Sequence, residues 1–182
     1  MLTWREEMAV QDEGLQRVLY EAMVRYYFRS EEFSFKAVDE AGCMQGFLLA
    51  APLTARDSSQ GWLRQRLEAE ELSLEAQDLV YNYLRYLSYN GQQVRKLAQP
   101  EDLALYLFLS RQPGVGGRLL ENVEQVAKQK GIARLQLWAD ATCDYDYYRR
   151  RGYREAGHFA NKVLPELGEQ QTWVYSKDVM QR

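Results

Sequence analysis

Hydrophobic and polar positions follow two different periods in the first half of the chain, and the changes of period mark its elements. Apolar residues recur at helical spacing over residues 15–26, behind Asp12, which predicts an amphipathic helix capped by that aspartate. Apolar and polar residues then alternate over 33–37 and again over 44–50, as in half-buried strands. The turn-forming residues 39–42 lie between these two segments, so the pattern predicts a β-hairpin.

The period returns to that of a helix over residues 54–99, which are rich in charge. A short helix is predicted around Trp62, and a second one is predicted to start at Ser73 and end at Asn90-Gly91. Both helices are expected to form an insertion rather than a separate domain. The second helix carries four tyrosines that either line an acceptor pocket or pack as a buried face: Tyr81, Tyr83, Tyr86 and Tyr89.

The second half begins with an almost wholly apolar segment, residues 103–109, which suits a central strand covered on both faces. A glycine-rich turn, a helix ending at Gly131 and a strand around 135–137 follow. A short helix over 143–151 ends at Gly152, and two more strands are expected, at 153–159 and 171–177, joined by a loop around Pro165 and Gly168. The order predicts one α/β domain, residues 1–182, with a mixed sheet, flanking helices and a helical insertion at about 54–99.

Composition excludes several classes of function. The net charge of −3 argues against a nucleic-acid binder, and no apolar segment approaches the roughly 18 residues of a transmembrane helix. The acidic N-terminal segment does not resemble a signal peptide, so a cytoplasmic location is expected. Cys43, Cys143 and the single histidine, His158, are too few and too scattered for a zinc framework. No metal is expected, and His158 is interpreted as a structural or surface residue.

The glycine turn at residues 111–118 is the most informative segment, because it lies between a buried strand and the start of a helix. The first N–H groups of a helix have no internal partner and favour a bound anion, and glycine allows close approach. The turn lacks the GK[ST] of a P-loop and the third glycine of a Rossmann motif. It does match R/Q-x-x-G-x-G/A, through Arg111, Gly114 and Gly116; an ordinary tight turn is the alternative.

A second segment supports the match. Residues 138–153, WADATCDYDYYRRRGY, read as a strand followed by a short helix, ending in Tyr147-Tyr148 and then Gly152-Tyr153. The two segments together resemble the acetyl-CoA loop and the second signature of the Gcn5-related N-acetyltransferases (GNAT superfamily). The resemblance covers residues 103–177, and it implies the GNAT fold, in which the helical insertion falls between the third and fourth strands.

The resemblance implies acetyl-CoA as the acyl donor and assigns residues to it. The strand backbone near Leu107 and Leu109 would pair with the pantetheine arm, while Asp144, or Thr142 instead, would take the place of the family's asparagine. Pro113 has no N–H, so one donor of the general pattern is absent. The N–H groups of the turn and two arginine side chains would hold the pyrophosphate: Gln112, Gly114, Val115, Gly116, Gly117, Arg111 and Arg118.

The resemblance also implies catalytic roles. Tyr148, four residues before Gly152, occupies the position of the tyrosine that protonates the departing thiolate; it could also be a packing residue, and Tyr147 is its competitor. Gln136 stands where many relatives place a glutamate base. Glu101 is the predicted substitute, with Asp102 or a water chain as alternatives. The basic run from Arg149 to Arg151, with Arg154, is interpreted as a solvated face or a contact to the 3′-phosphate of CoA.

Together these features predict an N-acetyltransferase that transfers an acetyl group to a primary amine by direct attack. The acceptor is expected to be a small-molecule or peptide amine; neither nucleic acid nor a membrane is an expected partner, and a homodimer is left open. The alternative is a non-catalytic acyl-CoA-binding or protein-interaction module on the same fold. The two differ in whether removal of the Tyr148 hydroxyl abolishes turnover while CoA affinity persists.

Overall fold

The computed structural model describes residues 12–70, 72–141, 143–163 and 169–180. Its centre is a six-stranded sheet in the order β1-β2-β3-β4-β6-β5, in which only β3 and β4 run parallel. The strands are β1 (Phe35–Val38), β2 (Met44–Pro52), β3 (Leu103–Ser110), β4 (Arg134–Asp140), β5 (Arg154–Asn161) and β6 (Gln170–Asp178). The helices are α1 (Glu13–Tyr27), α2 (Ser59–Ala69), α3 (Leu74–Leu97), α4 (Val115–Gln129) and α5 (Tyr145–Arg150).

Helices cover both faces of the sheet. Successive residues of a strand point to opposite faces, and Leu48 and Leu49 accordingly belong to different clusters. Leu49 packs among residues of α1, α2 and α3, whereas Leu48 packs with α4 and the rings of α5. The buried strand β3 therefore has the double cover that its apolar sequence predicts.

The predicted caps and turns are confirmed at most element ends. The Asp12 side chain accepts a hydrogen bond from the Leu15 N–H at 2.8 Å and caps α1. Gly42, Gly131 and Gly152 have positive φ angles of 81°, 73° and 82°, at the hairpin turn and after α4 and α5. The loop around Pro165 and Gly168 lies outside the described residues.

The prediction that the helix starting at Ser73 ends at Asn90-Gly91 is wrong, because α3 continues to Leu97. The Asn90 side chain is buried and accepts a hydrogen bond from the Asn161 amide of β5 at 2.7 Å, so it serves packing instead of a C-cap. One turn later Val94 is buried as well, and this extends the apolar stripe. Tertiary packing outweighs the local stop signal.

The expected helical insertion is confirmed. It consists of α2 and α3, and among the described strands it lies between the second, β2, and the third, β3, one connection earlier than expected. Within the described ranges, no helix is both long enough and apolar enough to cross a membrane.

Candidate functional site

The parallel strands β3 and β4 separate along their length. They pair only at Leu103 with Leu135 and at Ala104 with Gln136. Beyond these pairs β3 keeps its partner β2, and β4 keeps its partner β6. The backbone of Leu107 and Leu109 therefore has no partner strand on the β4 side, and an extended ligand has room to pair there.

A bulge in β3 lies in the separated region. Leu49 faces Leu107 while the next residue, Ala50, faces Leu105, so Tyr106 is the extra residue on β3. The Tyr106 ring stacks on Tyr27 with a centroid distance of 5.4 Å. Burial is the main cause that raises the pKa of the Tyr106 hydroxyl. The bulge directs this tyrosine to the face covered by α1 and α3.

The glycine turn joins β3 to α4 and presents free backbone donors. Gly114 has a φ of +84°, which glycine adopts without strain, and α4 starts directly after it. The Val115 N–H donates to the Gln112 carbonyl at 3.3 Å, whereas the N–H groups of Gly116 and Gly117 donate to no described residue. These two N–H groups lie at a helix N-terminus and are free to donate, and we call them the cradle; the binding of an anion there stays a prediction.

Tyr147 lies against this cradle. A Cβ atom added to Gly116 would lie 2.9 Å from Phe108 Cζ and 3.2 Å from Tyr147 Oη. The Tyr147 hydroxyl is buried and has no hydrogen-bond partner among the described residues, and burial raises its pKa. An unpaired buried donor beside free N–H groups is suited to an anionic ligand oxygen. Sequence reasoning missed this role, because it treated Tyr147 only as a competitor of Tyr148.

Arg151 also lies at the cradle. A Cβ atom on Gly117 would lie 3.0 Å from its guanidinium carbon, and the guanidinium also contacts the Tyr147 ring and pairs with Glu121 at 3.3 Å. The other arginines of the basic run pair elsewhere: Arg149 with Asp146 and Glu155, Arg150 with Asp144, and Arg154 with Asp178. Arg111 and Arg118, by contrast, are exposed at the turn with no carboxylate of the described residues in ion-pair range.

Tyr148 is half-buried on the α4 face of the sheet, stacked on Tyr175 and edge-on to Tyr153. Burial is the main cause that raises its pKa above the usual tyrosine range, followed by the Cys143 thiol, Tyr147 and Asp144. Tyr148 therefore keeps its proton at neutral pH. Cys143 follows the last residue of β4 by three positions, so Tyr148 lies on the side of the separated strand ends.

Two further residues, Asp144 and Thr142, are predicted to contact acetyl-CoA. Asp144 caps α5, accepting from the Tyr147 N–H at 3.2 Å, and it pairs with Arg150 at 3.4 Å. Its carboxylate is thus already engaged within the protein. Thr142 lies outside the described residues. A cofactor contact of either side chain stays a prediction.

The predicted base is distant from the other candidates. Glu101 is exposed just before β3, at the end where β3 and β4 still pair, and the structure does not bring it together with Tyr148. Asp102 and Gln136 are buried there and hydrogen-bonded to each other at 3.0 Å, while Arg134 pairs with Asp102 at 3.3 Å. Their arrangement anchors the paired ends of the strands, and the role of Glu101 stays a prediction.

A carboxylate that sequence reasoning gave no role lies at the opposite end. Asp140 is the last residue of β4 and is largely buried. The Tyr86 hydroxyl donates to it at 2.7 Å, and the Cys143 thiol lies 3.5 Å from its other oxygen. An acidic residue at the end of an apolar strand was the available signal. Tyr83, Tyr86 and Tyr89 pack against other rings, so of the four tyrosines only Tyr81 is exposed.

Three features of the described residues fit an acyl-CoA. The separated strands accommodate an extended arm, the cradle offers free N–H groups and an unpaired hydroxyl, and arginines surround the turn. No cluster of three or more metal-ligating side chains occurs in the described ranges, and His158 is an exposed residue of β5, 3.7 Å from Glu155. Cys43 and Cys143 are free, exposed thiols.

Comparison with known proteins shows the fold. No family model and no curated protein matches the sequence. Among solved structures, one described as an acetyltransferase has a TM-score of 0.54 at 19% identity, and the match covers 98% of this chain and 86% of the acetyltransferase chain. A ligand-free variant of agmatine N-acetyltransferase has a TM-score of 0.50 at 17% identity, and the match covers 92% of this chain and 96% of that protein.

Nourseothricin acetyltransferase matches with a TM-score of 0.47 at 17% identity, and the match covers 80% of this chain. This chain spans 64% of the length of that protein. The structural neighbours at these low identities show that the chain has the GNAT fold, as the resemblance of its two motifs implies.

Proposed function

We propose that this protein is an acetyl-CoA-dependent N-acetyltransferase that acylates a primary amine by direct attack. The observation that carries the proposal is the juxtaposition of the gap between β3 and β4 with the free N–H groups of Gly116 and Gly117. A phosphate-bearing thioester with an extended arm uses both features at once. The turn matches neither the P-loop motif nor the dinucleotide-binding motif.

The chain's own groups hold the donor from the phosphates inward. Gly116 and Gly117 offer N–H groups to the pyrophosphate, and Arg111 and Arg118 add charge-assisted hydrogen bonds. The free edge of β3 beyond Ala104 supplies backbone groups for the arm. Acetyl-CoA contributes an acyl group activated as a thioester.

Tyr148 supplies the proton that the chemistry requires. The neutral amine nitrogen forms a bond to the acyl carbon, the carbon–sulfur bond breaks, and the sulfur takes the proton of the tyrosine hydroxyl. The proton that the nitrogen loses passes through the base and solvent and restores the tyrosine hydroxyl. The raised pKa of Tyr148 keeps that proton in place at neutral pH. Substitution by phenylalanine removes the proton and keeps the ring packing on Tyr175.

The amine must lose one proton, and two carboxylates are candidates for the base that accepts it. Glu101 is the residue that the sequence predicts, and Asp140 is the one at the separated end of the strands. The position of Asp140 favours it over the exposed Glu101. Glu101→Gln and Asp140→Asn, each assayed for kcat across pH, separate the two assignments.

The competing function is a non-catalytic acyl-CoA-binding or interaction module. The engagement of Asp144 by Arg150 and the distance of Glu101 from the gap favour it. Two measurements decide: calorimetric titration of acetyl-CoA, and release of free CoA with a panel of amines. Binding with turnover that Tyr148→Phe abolishes supports the enzyme, whereas binding without turnover supports the module. Absence of binding at millimolar acetyl-CoA contradicts both.

A further inference from the structure

A cavity of about 730 Å³ lies on the sheet face covered by α1, α2 and α3, away from the glycine turn. Its wall is formed by the end of α1, the segment after β2 and one face of α3. Among the residues that line it, four are arginines and one is an acid: Arg29, Arg56, Arg85, Arg95 and Asp57. On a chain with a net charge of −3, this is a local concentration of positive charge.

These four arginines have no carboxylate partner in the described part of the chain. Other arginines, such as Arg17, Arg66 and Arg134, form ion pairs with nearby acids. Asp57 also lines the cavity but forms no ion pair with any of the four, and its carboxylate accepts hydrogen bonds from the Ser59 N–H at 2.8 Å and the Ser59 hydroxyl at 2.6 Å. Four arginines against one aspartate leave the lining with a formal charge of +3. Guanidinium groups that outnumber the acids of a concave site and pair with none of them are suited to an anionic ligand.

Arg29 connects this cavity to the candidate active site. Its guanidinium lies 4.8 Å from the Tyr106 ring and 4.8 Å from the Tyr26 ring. Tyr106 is the bulged residue of β3 in the region where β3 and β4 separate. Arg29 therefore places one wall of the cavity beside the bulged part of β3, on the face opposite to α4.

The anion in this cavity is not expected to be a phosphate of CoA. The cradle for those phosphates is the glycine turn, which follows the last residue of β3. The cavity wall includes Leu53 and Thr54, which follow Pro52, and Pro52 pairs with Leu103, the first residue of β3. The two basic sites thus lie toward opposite ends of β3 and on opposite faces of the sheet.

We propose, resting on the proposed acetyltransferase function, that the acceptor is an acidic amine whose carboxylate or phosphate is bound by Arg29, Arg56, Arg85 and Arg95. The exposed ring of Tyr81 and the buried ring of Tyr26 add apolar wall to the cavity. A linker between the acidic group and the amine packs on these rings. The amine is thereby directed toward the gap between the strands.

The test uses three series of primary amines of matched chain length: ω-amino carboxylates, ω-aminoalkyl phosphates and plain alkylamines. Release of free CoA gives kcat/KM, and calorimetry in the presence of CoA gives binding without any need for turnover. We expect kcat/KM for one acidic series to exceed that of the alkylamines by about tenfold or more, because the alkylamines lack the charge-assisted hydrogen bonds that an acidic group makes with the arginines. The series that is preferred identifies carboxylate or phosphate.

The double variant Arg56→Gln/Arg95→Gln should lower kcat/KM for the acidic amines by about tenfold and leave the alkylamines within about twofold. Both side chains are exposed, so the fold should persist. Arg64→Gln is the matched control, since Arg64 is an exposed arginine that does not line the cavity. It should change neither series.

Three results would each overturn a different part of the proposals. Turnover of alkylamines and acidic amines at equal rates, unchanged in the double variant, overturns the acidic-acceptor proposal and keeps the transferase. Binding of an acidic amine that the double variant weakens, with no acyl transfer, keeps the anion site and overturns the transferase. Binding of no acidic amine overturns the anion site.

Discussion

Substitution of Gly116 by alanine tests the cradle with the smallest possible change. The added Cβ would lie 2.9 Å from Phe108 Cζ and 3.2 Å from the Tyr147 hydroxyl. The distance to Phe108 is shorter than Cβ atoms show in real structures, so the Phe108 ring must move. Overpacking of this kind costs about 1–3 kcal/mol, and alanine recovers up to about 1 kcal/mol of helix propensity. The net loss of about 0–3 kcal/mol lowers Tm by up to about 12 °C for a chain of this size.

The effect on ligand binding should be larger than the effect on folding. Acetyl-CoA at a hundred times its Kd stabilises a protein by about 2.7 kcal/mol, which corresponds to a rise in Tm of about 5–11 °C. The alanine methyl group and the displaced Tyr147 fill the space beside the free N–H groups. We therefore expect the rise for Gly116→Ala to be less than about 2 °C at the same concentration.

The control is Gly61→Ala. Gly61 lies in α2 with no atom within 4 Å of an added Cβ, so alanine should stabilise the protein by about 0.5–1 kcal/mol and leave the acetyl-CoA response unchanged. Differential scanning fluorimetry with and without acetyl-CoA measures both variants. A folded Gly116→Ala protein that keeps the wild-type rise in Tm would refute the cradle.

Three other predictions concern single side chains. Tyr148→Phe should lower kcat by about 10²-fold or more and keep the affinity for acetyl-CoA. Because the pKa of Tyr148 is raised, the wild-type kcat should show no loss from deprotonation of Tyr148 between about pH 7 and 9. Full activity of the variant in steady-state assays contradicts this assignment. Asn161→Ala should cost about 1–3 kcal/mol in urea unfolding, since it leaves the buried Asn90 side-chain oxygen without its donor. An unchanged midpoint refutes this. Tyr147→Phe removes a buried, unpaired hydroxyl, so thermal unfolding should show stability equal or higher, and a loss above about 1 kcal/mol would reveal a missed partner.

Local sequence patterns predicted the elements because several independent signals agree at each one. In α1 the cap at Asp12 and the buried stripe from Leu15 to Tyr26 coincide with the structure. The length of α3 could not be predicted, since the pairing of Asn90 with Asn161 joins residues 71 positions apart. A local stop signal carries no information about such a partner.

The candidate site was predictable where backbone geometry determines it and not where side chains from distant segments meet. The turn at Gly114–Gly117 follows from glycine spacing between a strand and a helix. The approach of Tyr147 and Arg151 to this turn depends on how α5 packs against α4. The arginine cavity combines residues of α1, of the segment after β2 and of α3, so no sequence window contains it.

Acyl transfer itself is the most direct test of the central claim. The purified protein, saturated with acetyl-CoA, is mixed with an equimolar set of carboxylate-bearing, phosphate-bearing and plain primary amines, and mass spectrometry follows the products. The account predicts one class of acetylated amine, formed in an amount equal to the free CoA released. Tight binding of acetyl-CoA without any acetylated amine, or release of CoA with none, would contradict it.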